Sequence, residues 1–297
     1  YTYSKMELNA ELKKGKGDLK FDYDDDHLKF NLISNIDLDS LSSRIDTKID
    51  LQGMRTKKLG LTEKDLRAKV LAHIDFKGNL DNFSLDAQFE DGLVIYEEKP
   101  YNVDDVNFTS TLDSTQTKAD LSSSFLNLSF NANANIGNIT KAITKHFERH
   151  FESDFSESKT TADSPVKLDI DLNFIETPIL SEVFMEGIQE MDTLKSSLHF
   201  DEGKQTLTAT ARLPNLNFNN NEINGLEFDI DSDENAFDIN FGFDNIKASP
   251  LNIAQTNITG SFQNNRLDVN LKAVKDDAAF FNSSISTTFE DNGFYRI

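Results

Sequence analysis

Apolar and polar residues alternate in strict period two along most of this chain. The alternation is clearest in the segments 66–76, 126–136, 166–174 and 237–243. Successive side chains of a β-strand point to opposite faces, so each segment predicts a strand with one apolar and one polar face. Clusters of turn-forming residues separate such segments at 13–17, 24–26, 91–92, 201–203, 219–221, 231–235, 264–265 and 291–293. This spacing predicts an antiparallel meander of short strands.

Two stretches break the alternation and predict short helices. The first has an apolar residue at every fourth position: Ile139, Ile143, Phe147, Phe151 and Phe155. It predicts an amphipathic helix over 138–155, followed by a polar, disordered loop over 153–164. In the second, Thr177 and Pro178 predict the N-cap and first position of a helix over 178–191. We therefore expect strands over 1–137, a helical and loop insertion over 138–195 that contains the strand 166–174, and further strands over 196–297.

The apolar faces are compatible with two mainly β architectures. One is a β-sandwich, in which two sheets bury these faces against each other. The other is a long curved antiparallel sheet that forms a taco-like hydrophobic groove, with one or two short amphipathic helices. Phe dominates the apolar positions, with 24 Phe against four Met and no Trp. The period alone does not separate the two architectures.

If the sheet forms a groove, twelve apolar residues are candidates to line it. They are Ile74, Phe76, Leu168, Ile170, Leu172, Phe174, Phe237, Ile239, Phe241, Phe243, Val269 and Leu271.

Composition narrows the classes of partner. The 51 acidic and 30 basic residues give a formal charge of −21, which disfavours binding to nucleic acid and to anionic membrane surfaces. There is no cysteine, so disulfides and Cys-based metal sites are excluded. No apolar run approaches the ~18–20 residues of a membrane-spanning helix. The sequence starts at Tyr1 and stops at Ile297 in an apparent strand, so we expect it to be a piece of a longer protein.

Motifs for catalysis or metal binding are weak. His146 and His150 lie four apart with Asp154 one turn further, a spacing that could form a metal site. Phe147, however, stands where a zincin has Glu. Positions at the border of the apolar stripe are therefore the better interpretation of the two histidines. An acidic run at Asp22, Asp24, Asp25 and Asp26 lacks the Gly and terminal Glu of a calcium loop, which favours a solvated turn. There is no nucleophile elbow and no phosphate-binding glycine loop. We expect no enzyme activity, no metal and no cofactor.

Several segments resemble the TamB family, the large AsmA-like proteins of the Gram-negative envelope. They are Leu59-Gly60-Leu61-Thr62, the strand 66–76, the segment 78–83, and 178–191 followed by Leu194-Lys195-Ser196-Ser197-Leu198 and the hairpins up to Phe243. The second set is similar to the family's recurrent unit, in which a short helix precedes a new run of strands. The resemblance is to the repetitive middle of the family, without its N-terminal anchor or C-terminal domain.

The resemblance implies a function. It implies a taco-shaped sheet similar to that of bridge-like lipid-transfer proteins, and a periplasmic protein that carries phospholipid acyl chains between the inner and outer membranes. It also implies an inner-membrane anchor outside this sequence and a TamA-like partner of the Omp85 class, with a link to outer-membrane protein assembly and protein secretion. Two alternatives stay open: a periplasmic scaffold that guides outer-membrane strands along its sheet edge, and a structural or adhesive β-sandwich.

Overall fold

A computed structural model describes residues 5–39, 41–151, 164–275, 278–289 and 295–296. The chain is mainly β, and its strands belong to a large antiparallel sheet that is open and not closed into a barrel. The predicted fold class is thus confirmed. The chain divides into two units, unit 1 with residues 1–114 and 118–127, and unit 2 with residues 115–117 and 128–297.

Unit 1 is an antiparallel meander. Its strands are β1 (Lys5–Lys13), β2 (Lys16–Asp24), β3 (Leu28–Asp37), β4 (Ser43–Arg55), β5 (Arg67–Asn79), β6 (Asn82–Tyr96), β7 (Lys99–Val103) and β8 (Val106–Leu112), while β9 (Thr117–Ser122) and β10 (Leu126–Ala132) follow at the boundary of the units. Strands β1 to β6 pair in chain order, and both β7 and β8 pair with β6. The predicted turn at 91–92 is wrong, because Asp91 and Gly92 form a bulge inside β6, where these two residues oppose Val70 of β5.

Unit 2 combines strands with one long helix. Its elements are α1 (Ile136–Phe151), β11 (Lys167–Phe174), a single π-helical turn (Leu180–Phe184), β12 (Ile188–Met191), β13 (Leu194–Asp201), β14 (Thr206–Phe218), β15 (Asn221–Ser232), β16 (Ala236–Phe243), β17 (Asn245–Ala248), β18 (Leu251–Ile253), β19 (Gln255–Gln263), β20 (Arg266–Lys275), β21 (Ala278–Phe289) and β22 (Tyr295–Arg296). The main ladder runs β11-β13-β14-β15-β16-β19-β20-β21.

The first predicted helix is confirmed within the described residues. Asn135 caps it, since its Oδ1 accepts a hydrogen bond from the backbone N of Asn138 at 2.9 Å and its carbonyl accepts one from Ile139. The predicted positions 152–155, including Asp154 and Phe155, and most of the predicted loop lie outside the described residues. No helix in the described part of the chain is long and apolar enough to cross a membrane.

The second predicted helix is confirmed only in its first half. Helical residues run from 178 to 184, and the residues after them become strand β12, which pairs with β14 from Ile188↔Phe218 to Met191↔Leu216. Gly187, at φ 102°, redirects the chain between the turn and the strand. Thr177 does not cap with its hydroxyl, since its Oγ1 has no hydrogen-bond partner while its carbonyl accepts from Leu180 and Ser181.

Candidate functional site

The register of unit 2 arranges inward-facing residues in rows that cross the sheet. Residues directly opposite each other in neighbouring strands point to the same face. The covered row, from β11 to β20, is Leu168, Phe200, Leu207, Ser232, Phe237, Phe262 and Leu267. The open band consists of the next two rows, first Ile170, Leu198, Ala209, Ile230, Ile239, Gly260, Val269 and Ile285, then Leu172, Ser196, Ala211, Phe228, Phe241, Ile258, Leu271 and Ser283.

The helix α1 lies along the covered row. Its residues Ile139 and Ala142 form one buried cluster with Leu168, Phe200, Leu207, Phe237 and Phe262. The ring of Phe147 lies 5.5 Å from that of Phe237, and the ring of Phe151 lies 5.2 Å from that of Phe262. Sixteen residues of helix span about 24 Å, and the six strands from β11 to β19 span about the same distance at ~4.8 Å each. The helix therefore runs across the strands and covers one edge of the apolar face.

Two histidines of α1 are buried in this contact. His146 is 3% exposed and His150 is 6% exposed, and the Nε2 atoms of both lie near Ser232 Oγ, at 2.9 and 3.3 Å. Ser232 is the polar member of the covered row, and these imidazoles satisfy its buried hydroxyl. The predicted border position is therefore wrong for both histidines, which lie inside the core.

Burial keeps the histidines neutral. Desolvation, the neighbouring His150 and Arg149 together lower the pKa of His146 to about 4. Burial also lowers the pKa of His150, against the opposing effect of Asp233. His146 Nδ1 has no hydrogen-bond partner. Within the described residues, no group of three or more His, Asp or Glu side chains is placed to hold a metal ion.

Exposure changes sharply along a single strand. Phe237 and Ile239 point to the same face of β16, but Phe237, beneath α1, is 3% exposed, whereas Ile239, in the open band, is 36% exposed. A row further on, Phe241 lies half-buried between Phe228 and Ile258. The next inward residue, Phe243, is buried again. The partly exposed apolar surface is thus a band between two buried margins.

The open band carries no charged side chain. It crosses the eight strands from β11 to β21, which corresponds to about 34 Å at ~4.8 Å per strand. This length is comparable to the ~30 Å hydrocarbon thickness of a bilayer. A half-exposed centre is not what a sandwich core predicts, because facing sheets would bury it.

The structure places the predicted lining residues in four groups. Ile170, Leu172, Ile239, Phe241, Val269 and Leu271 belong to the open band. Leu168 and Phe237 lie in the covered row, and Phe174 and Phe243 belong to the margin beyond the band. Ile74 and Phe76 lie in unit 1, on its apolar face, where Phe76 stacks on Phe83 with ring centroids 5.8 Å apart.

The acidic run forms a turn. Asp25 Oδ1 accepts hydrogen bonds from the backbone N of His27 and Leu28, at 2.6 and 2.8 Å, and Oδ2 accepts one from the Tyr23 hydroxyl. These bonds lower the pKa of Asp25. The carboxylate is thereby used within the turn, as the solvated-turn interpretation predicts.

Comparison of the chain with family models, curated proteins and solved structures gives no match. The resemblance to the TamB family therefore stays a prediction from the sequence.

Proposed function

We propose that the open band of unit 2 binds lipid acyl chains and that the protein is a non-enzymatic lipid carrier. The observation that carries the proposal is the contrast between buried Phe237 and exposed Ile239 on one strand face. Apolar surface left in contact with water costs about 25 cal/mol per Å². A continuous apolar band of this kind marks a binding surface.

The chemistry of the band fits an acyl chain better than a polar ligand. Its side chains are aliphatic or aromatic, with only Ser196 and Ser283 contributing hydroxyls. Such a surface provides no charge to fix a head group, so a chain can occupy many positions along it. This is the behaviour expected of a carrier that moves lipids rather than one that holds a single molecule.

The cellular setting belongs to the same proposal and is supported by the resemblance to TamB alone. In that setting the protein is periplasmic, is anchored in the inner membrane through a segment outside this sequence, and transfers phospholipid to the outer membrane with an Omp85-class partner. A link to outer-membrane protein assembly and secretion is part of this proposal.

A photocrosslinking experiment in Gram-negative cells tests acyl-chain binding. A benzoylphenylalanine at position 241 faces the open band, and one at Asp238 faces the opposite side of the same strand. We expect phospholipid adducts at 241 and none at 238, as read by mass spectrometry of the purified protein. A third probe at position 237 should crosslink to α1. A folded protein without lipid at 241 would refute the proposal.

One observation favours the scaffold as a second candidate. All nine residues of β1 are exposed, and among the described residues this strand pairs only with β2. Its free edge offers backbone groups to which an added strand can bind. Slower amide exchange in β1 on addition of an unfolded outer-membrane strand peptide would support this function, and unchanged exchange would exclude it.

A further inference from the structure

The polar face of unit 1 contains a cavity of about 330 Å³ that is rich in cationic side chains. It lies where the first residues of β3 and β5 meet the last residues of β4 and β6. The cationic residues that line it are Lys29, Arg55, Arg67 and Lys69, and His27 lies beside them. Four basic side chains thus lie together in a chain with a net charge of −21.

Two β-bulges build this cavity. Strict alternation along β4 and β6 would send Arg55, Leu93 and Ile95 to the apolar face. The extra residue between Leu51 and Met54, and another between Glu90 and Leu93, reverse the facing of the residues that follow. Arg55 and Ile95 then both pair with Arg67, and Leu93 pairs with Lys69, all on the polar face.

Arg55 and Arg67 lie directly opposite each other in neighbouring strands. Like charges in this position repel. Each guanidinium has one carboxylate, with Arg55 Nη2 3.0 Å from Asp65 and Arg67 Nη2 2.8 Å from Glu98. Lys29 binds Asp24 at 2.8 Å, whereas Lys69 has no carboxylate partner in the described part of the chain.

Two nitrogen atoms at the cavity lack partners. Arg55 Nε and His27 Nδ1 are both buried and make no hydrogen bond. A buried donor without an acceptor is destabilising. The acids that also line the cavity are Asp25, whose oxygens are used by its own turn, and Asp26, which is exposed. An oxyanion in the cavity would accept from Arg55 Nε, and from His27 Nδ1 when this atom carries the ring proton.

The apolar residues that line the cavity indicate the chemistry of the rest of the ligand. Leu93 and Ile95 supply apolar surface beside the guanidinium groups. A Cβ added to Gly53 would meet no atom within 4 Å, so this position leaves space open. The cavity volume lies at the lower end of the range for small-molecule sites.

We propose that this cavity binds a small organic phosphate, with its oxygens on Arg55 and Arg67 and its short apolar group against Leu93 and Ile95. Guanidinium groups bind phosphate through paired, charge-assisted hydrogen bonds. The site lies on the face of unit 1 opposite to Val70 and Ala72, and it does not depend on acyl-chain binding by unit 2.

The experiment follows the arginine Nε–Hε signals of the 297-residue chain by NMR during titration with n-butyl phosphate. The Arg55 signal, assigned by its loss in Arg55→Lys, is expected to shift saturably, and less at high salt because screening weakens the attraction. Inorganic phosphate should bind more weakly, and n-butanol should leave the signal unchanged. A signal that does not move with n-butyl phosphate would overturn the proposal.

Two variants and a matched control make the test specific. Gly53→Leu fills the cavity and keeps every charge, and Arg67→Gln removes one phosphate ligand. Each should weaken binding about tenfold or more. Arg44→Gln breaks a similar ion pair, with Asp75 at 2.8 Å, away from the cavity and should leave binding unchanged. Equal weakening in Arg44→Gln and Arg67→Gln would refute a defined site.

The source of the phosphate is decided by flotation with vesicles. Binding to phosphatidate vesicles that is lost in Gly53→Leu would identify a lipid head group as the ligand. Binding of n-butyl phosphate without flotation would identify a soluble phosphate monoester.

Discussion

Replacing His146 by Leu is expected to remove most of the acid sensitivity of unit 2. The imidazole is buried against Ser232 and Phe200, and its pKa falls from 6.5 to about 4 in the folded chain. Below pH 6.5 the unfolded chain takes up a proton at this residue and the folded chain does not. Stability is therefore complete above about pH 6.5 and is lost as the pH falls towards 4.

The magnitude follows from the size of the shift. A difference of about 2.5 pKa units corresponds to roughly 3 kcal/mol, of which about 2 kcal/mol is lost between about pH 7.5 and pH 5. Most carboxylates titrate below this window, so the histidine dominates it. The lowered pKa of His150 acts in the same direction, while Asp233 opposes it.

Guanidinium unfolding followed by far-UV circular dichroism at the two pH values measures this loss. His146→Leu should flatten the pH dependence and keep the hydrogen bond between Ser232 and His150. The control His199→Gln removes an exposed histidine paired with Asp169 on the opposite face and should behave like the parent chain. If the parent and His146→Leu lose the same free energy on acidification, the buried neutral imidazole is not the cause.

Further experiments test the covered row, the open band and the histidine pair. In denaturant unfolding, Phe237→Ala should lower the free energy of unfolding by about 3–5 kcal/mol because its ring is buried. Phe241→Ala should lower it by clearly less. Phe241→Asp should stay folded by circular dichroism and lose lipid crosslinking from a neighbouring probe, since a carboxylate in an open band reaches water. Ser232→Ala should cost about 1–3 kcal/mol by leaving the imidazoles unpaired, and an unchanged melting temperature would contradict this. Zn²⁺ should leave the melting temperature unchanged, since a ligand of the folded state would raise it.

The strands were predictable because their signal is local. Alternation at Leu168, Ile170 and Leu172 depends only on the pleat of a single strand. The helix predicted over 178–191 ends at residue 184 for a non-local reason. Apolar residues at Val183, Ile188 and other positions fit a helix, but residues 188–191 pair with β14 and form strand β12 instead. Tertiary contacts override local propensity at such positions.

The buried histidines could be predicted only in part. Spacing places His146 and His150 on one side of α1, but their partner Ser232 lies more than eighty residues away and is brought there by the sheet register. One signal was present in the sequence. Ser232 follows Phe228 and Ile230 at an inward position, and a polar residue at an apolar position indicates a buried hydrogen bond.

The cationic cavity shows where alternation misleads. By alternation alone, Arg55 would point to the same face as Ile49 and Leu51, a position where an unpaired charge is costly. One extra residue in β4 sends it to the polar face instead, opposite Arg67. The equivalent bulge in β6 moves Ile95 to the same face, where an apolar side chain gains little from burial. Two bulges at neighbouring positions thus place an arginine and an apolar residue on a polar face. Folding alone does not favour this arrangement, and ligand binding explains it.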